Sequence, residues 1–189
     1  MAELIAASGK QEFKDYTLDR HQDDEEAYLA AGYSVAEAKT IPAFELLLPQ
    51  LAEVKQLGRN LVELANSYRQ AGDPASAQAA LQMAANLGQR YGNTVVGETE
   101  VSRLVGMAVE RIALNAMDPN GAYGSAGQTV KDRLDQLAQQ SADLKQLAQQ
   151  TEALQHLVSD QDWISYKDRW RIFGEEDAGK WLIKKYGQK

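Results

Sequence analysis

Apolar side chains recur every three or four residues along most of this chain, and no run of alternating β-branched residues is long enough for a strand. A chain patterned in this way buries its apolar surface by laying helix against helix. The clearest stripe lies in residues 50–71, where Leu51, Val54, Gly58, Leu61, Ala65 and Tyr68 share a face that Leu57 and Leu64 widen. Gly72 suits a helix end at positive φ. Asp73 and Pro74 then suit the N-cap and first position of a new helix. That helix runs to about Arg90, with Ala77, Leu81, Ala84, Gly88 and Tyr91 on one face, and Gly92-Asn93 stops it. Its small residues allow a neighbouring helix to come close.

Further helices follow from the same signals. Ser34 and Glu37 form a capping-box pattern ahead of a short helix. Pro42 and Pro49 bracket the apolar stretch 43–48, which predicts a short helix, a kink, and a fresh start with Pro49 in the first turn. Residues 98–117 carry Val101, Leu104, Val105, Ala108, Val109, Ile112, Ala113, Leu114, Ala116 and Met117 around most of the circumference, as a buried central helix would. Asp118-Pro119-Asn120-Gly121 breaks it, and a Gly-rich loop extends to Gly127. Thr129 to about Val158 reads as one leucine-striped helix or a helical hairpin. Ser159 to Asp162 caps a helix from Trp163 to Phe173, which Gly174 ends, and a last helix spans about Glu175 to Tyr186. Residues 1–26, ending in Asp23-Asp24-Glu25-Glu26, read as a polar arm or helix start, with a docking tail as the alternative. The expectation is an all-α fold of about seven helices, with the arm followed by a single domain over 27–189.

Composition limits the function classes. The net charge of −7 argues against a broad phosphate-binding surface, so nucleic acid is not an expected partner. The absence of cysteine removes disulfides, thiolate nucleophiles and cysteine metal sites. No apolar run approaches the roughly 18 residues of a membrane span. The first ten residues lack the basic and apolar regions of a signal peptide, while a removed leader or anchor stays open, as does the compartment.

Residues 58–91 resemble the tetratricopeptide repeat. Leu61, Leu64 and Ala65 fall on the large-large-small pattern of its first helix, Tyr68 on its aromatic, and Gly72-Asp73 on its turn. Ala77, Leu81 and Ala84 match the small-aromatic-small pattern of its second helix, with Leu81 for the aromatic. Gln89 stands in place of the closing proline. A second copy about 34 residues on would need a small residue where Arg111 stands, so the pair does not repeat in register. Residues 31–39 and 104–114 around that pair are similar to bacterial all-helical proteins to which no activity is assigned. The resemblance implies a helical scaffold and no chemistry.

Few constellations could carry chemistry. Glu100, Glu110 and Arg111 interrupt the apolar helix, as a buried general acid or base or as a structural Arg–Glu pair. His21 and His156 lack metal-site spacing. Asp118 to Gly121 lacks the downstream ligands of a calcium loop. The glycines at 121, 124 and 127 match no phosphate-binding pattern, and no serine elbow is present. No catalytic, metal or cofactor residue is therefore assigned, and no cofactor is expected. The C-terminal region collects all three tryptophans. There Trp163, Tyr166, Trp170 and Phe173 lie at helical spacing among Lys167, Arg169, Arg171, Lys180, Lys184, Lys185 and Lys189. This segment reads either as a hydrophobic cap or as an interaction surface of Trp163, Tyr166, Trp170, Arg171 and Trp181. The expected function is a non-enzymatic scaffold that binds a protein or peptide on the face of residues 50–117. The alternatives are a small-ligand protein or enzyme with its site near 98–127, and a structural homo-oligomer joined through 129–158.

Overall fold

The computed structural model describes residues 17–92, 99–124 and 127–187, and only the backbone of 17–23, 36 and 39–50. Seven α-helices are found among them: α1 Thr17–Ala30, α2 Val35–Gln70, α3 Pro74–Gly92, α4 Glu100–Leu114, α5 Val130–Leu154, α6 Asp160–Phe173 and α7 Glu175–Tyr186. Extended pairing among the described residues amounts to one isolated bridge, Ala122 with Thr129. The all-α expectation holds. Helix α1 takes in the acidic run at 23–26, and residues 1–16 of the expected arm lie outside the described residues.

The described residues fall into two compact units. One contains 51–92 and 101–142, the other 17–50, 99–100 and 143–187.

In the first unit, α3 is antiparallel to α4 and α2 runs parallel to α4. A Cβ added at Gly88 would meet the Glu110 backbone nitrogen at 2.3 Å, and one at Gly106 would meet Gly92 N at 2.2 Å. The helix backbones therefore touch where Gly88 and Gly92 face Gly106 and Glu110. Residues rise together along the other pair: Gly58 abuts Val109, and further on Arg69 Nη2 donates to the Ala116 carbonyl at 2.5 Å. Leu61, Ala65, Ala77, Leu81, Ala84, Val109, Ala113, Leu114 and Leu137 fill the core.

The α2–α3 turn forms as its residues dictate. Gly72 adopts φ 77°, and Asp73 N donates back to Tyr68 O at 2.9 Å, closing the helix end. Asp73 Oδ1 then accepts from Ser76 N at 3.0 Å to cap α3.

Two expectations are corrected. The backbone stays helical from Val35 to Gln70 through both prolines, where a break and restart were expected. Each proline withholds one N–H from the ladder, but the bonds on either side persist, so local loss does not end the helix. The apolar side chains of 43–48 lie outside the described residues. Helix α4 ends at Leu114, and single-turn bonds such as Met117 N to Leu114 O, 3.0 Å, carry the chain to Met117.

In the second unit, α6 and α7 form a hairpin about Gly174, whose φ is 89°. Tyr166, Trp170, Ala178 and Leu182 form its core, with Val158, Trp163, Trp181 and Tyr186 packed around them. Helix α7 also lies close to the second half of α5, where Gly179 faces Leu147 and Thr151.

Candidate functional site

Helix α4 carries a fully buried carboxylate, Glu110. Arg133 of α5 grips it with two bonds of 2.8 Å, Nε to Oε1 and Nη2 to Oε2. The Tyr123 hydroxyl, from the loop before α5, donates to Oε1 at 3.2 Å. Gln89 Nε2 of α3 donates to Oε1 at 3.1 Å and to the Tyr123 hydroxyl at 2.8 Å. Three donors thus converge on Oε1 and one on Oε2, of the roughly two that each carboxylate oxygen can accept. Burial, then the Glu110 charge, pushes the Tyr123 hydroxyl well above the usual tyrosine range. The bond to Glu110 holds the Arg133 guanidinium more firmly protonated than usual. The network ties α3, α4, α5 and the loop at one point.

The sequence marks Glu110 as out of place but not its partner. The adjacent Arg111 is exposed, because neighbours on a helix point about 100° apart and cannot pair across one core face. Arg133 was legible in principle: it stands three residues after Val130 and four before Leu137, inside the apolar stripe of α5. Tyr123 had only the signal of an aromatic in a Gly-rich loop. Asp118 to Gly121 is a turn, with Gly121 N to Asp118 O at 2.9 Å and Asn120 N to Asp118 Oδ1 at 3.0 Å. Among the described residues no three potential metal ligands converge. The side chain of His21 lies outside them.

A second cluster lies in the second unit. Glu175 Oε2 accepts the Glu100 backbone N–H at 2.6 Å, capping the first turn of α4 from 75 residues away. Burial raises the Glu175 carboxyl above its usual range, opposed by the Glu100 N–H and by the Lys167 charge. Burial pulls the Lys167 ammonium down to about 8, opposed by Glu175. Its Nζ stands 4.0 Å from the centre of the Trp170 ring.

The five residues assigned to an interaction surface separate here. Tyr166 and Trp170 are core, Trp163 and Trp181 are half-buried, and Arg171 is exposed. Of the cations interleaved with them, Lys167, Arg169 and Lys185 are engaged inside the hairpin. Arg169 pairs with Asp177 at 2.7 Å and covers Phe173, and Lys185 reaches Asp162 and Trp181. Asp162 also accepts from the Tyr186 hydroxyl and from Ser159 Oγ, so one carboxylate fastens the start of α6 to the end of α7. Lys185, followed by Tyr186, holds that carboxyl below the usual aspartate range. Beyond Arg171 the surface continues in Ile172 and Phe173, 52% and 58% exposed. No helix among the described residues is long and apolar enough to cross a membrane.

Compared with protein-family models, with curated proteins and with solved structures, the chain matches none. The repeat resemblance therefore rests on its own residues.

Proposed function

We propose that the chain is a non-enzymatic interaction module, with a tetratricopeptide-like array of α2, α3 and α4 that takes up an extended peptide or helix of a protein partner. The observation that carries this reading is the order of the array, in which α3 is antiparallel to its neighbours and α2 runs parallel to α4 at the Gly58–Val109 and Arg69–Ala116 contacts. Stacked helix pairs of this kind leave one set of helices to line a binding face. Helix α2 turns Lys55, Arg59, Glu63 and Asn66 outward at helical spacing, and Arg111 of α4 and Asn115 just beyond it are exposed as well. Both rows mix charged and amide groups, which suits side chains and backbone of a polar peptide. The bidentate pairing of the buried Glu110 with Arg133 suits a structural tie between helices, which favours this reading over a catalytic one at the same helix.

Selection of a displayed peptide library on the immobilised chain tests it. Peptides should be enriched whose binding is lost in Arg59→Glu/Arg111→Glu with the melting temperature kept. Enrichment of nothing, or of peptides indifferent to those changes, would overturn the assignment of this face. A second contact is supported by the exposed Arg171, Ile172 and Phe173, beside the half-buried Trp163 and Trp181.

A further inference from the structure

In the turn Asp118–Gly121, the exposed Asn120 side-chain amide precedes a glycine nitrogen, the backbone nucleophile least shielded by its own side chain. We propose that Asn120 is a modification site in the folded protein, converting spontaneously to an isoaspartyl linkage with water as its only co-reactant. The Gly121 nitrogen gives its proton to solvent base and attacks Asn120 Cγ. The side-chain nitrogen takes a proton from solvent, its bond to Cγ breaks, ammonia leaves, and a five-membered succinimide remains. Water then adds to one of the two ring carbonyls. Opening at the α-carbonyl leaves the chain running through Cγ as isoaspartate, and opening at Cγ leaves aspartate. Nothing is oxidised or reduced.

The surrounding bonds set the rate and the consequence. Gly121 N–H donates to Asp118 O at 2.9 Å, which holds the proton that must leave, so the folded chain reacts more slowly than the unfolded one. The other described asparagines at exposed sites, Asn60, Asn66 and Asn115, precede Leu61, Ser67 and Ala116, whose side chains crowd the attacking nitrogen; Asn60 lies within α2, and the other two lie at or near helix ends. Downstream, Gly121 O accepts from Val130 N and Pro119 O accepts from Lys131 N, each at 3.0 Å. An isoaspartyl link inserts one backbone atom between Asn120 Cα and Gly121, so these two bonds cannot both persist. Tyr123, two residues on, is drawn away from Glu110.

The test is prolonged incubation of the intact folded chain in mildly alkaline buffer, with peptide mapping that separates isoaspartyl from aspartyl and asparaginyl forms. Asn120 should convert ahead of Asn60, Asn66 and Asn115, more slowly than in urea, and the melting temperature should fall in step with the isoaspartyl fraction. Asn120→Ser should hold its melting temperature through the same incubation. Conversion at another asparagine first, a converted fraction that melts with the unconverted one, or the same drift in Asn120→Ser would each overturn the proposal.

Discussion

Two glycines of the first unit are required for different reasons, and their alanine variants should rank accordingly. Gly72 sits at φ 77° with nothing within 4 Å of an added Cβ, so Gly72→Ala meets backbone strain alone, about 1 kcal/mol. Gly88→Ala would place Cβ 2.3 Å from backbone of the next helix, which cannot swing aside as a side chain would. Overpacking of that kind costs roughly 1–3 kcal/mol, and Gly88→Ala belongs at the upper end. Thermal melts should show the larger drop for Gly88→Ala, and an equal pair would refute the backbone contact. At Glu110 the prediction concerns a pair. Arg133→Leu alone strands a buried carboxylate and should cost about 3–5 kcal/mol, whereas Glu110→Leu/Arg133→Leu should recover most of that loss. A double variant no more stable than Arg133→Leu would show that the network matters beyond charge balance. Sequence reading reached one side of each contact: Gly88 read as a small residue on a stripe and Glu110 as a stray charge. What approaches each is set 13 and more residues away, beyond any local pattern.

Helix ends were the most legible elements, because a cap is decided within four residues. Ser34 with Glu37, Asp73 with Ser76, and Ser159 with Asp162 all form the bonds that their spacing predicts. The length of α2 was not legible, since it depends on whether the bonds beside Pro42 and Pro49 survive, and that is settled outside the segment. The Asp162 fastening yields a pH prediction for the α6–α7 hairpin. Its folded pKa lies below the unfolded value, so the stabilisation is complete above the ordinary aspartate pKa and is lost as pH falls through the lower, folded one. Asp162 raises the Lys185 pKa in return, so that group stabilises below the ordinary lysine pKa and ceases to as pH rises through its raised folded value. All three tryptophans lie in α6 and α7, so tryptophan fluorescence reports this hairpin. Its melting transition should fall at both pH extremes, and Asp162→Asn should flatten the acid limb. An unchanged acid limb in that variant would count against the fastening.

At the scale of the molecule, the sequence read the class of fold and the helix pair at its centre. The division into two units was hidden inside α5, where the leucine periodicity continues past residue 142, whereas the division inside α2 at 50/51 falls beside Pro49, where the sequence predicts a fresh helix start. The location of the tryptophans also separates the two proposed contact surfaces. A peptide held beside Arg171 contacts the tryptophan hairpin and should shift its emission, a shift that Arg171→Glu removes and Arg59→Glu/Arg111→Glu leaves. Fluorescence titration with an enriched peptide distinguishes them. The bond from Glu175 to the Glu100 N–H has a consequence for the order of events during synthesis. A ribosome adding about 5–20 residues per second reaches Glu175 roughly 4–15 seconds after Glu100. For that interval the Glu100 N–H of nascent α4 is without this one acceptor, which arrives only when α7 emerges, so this bond is among the last of α4 to form.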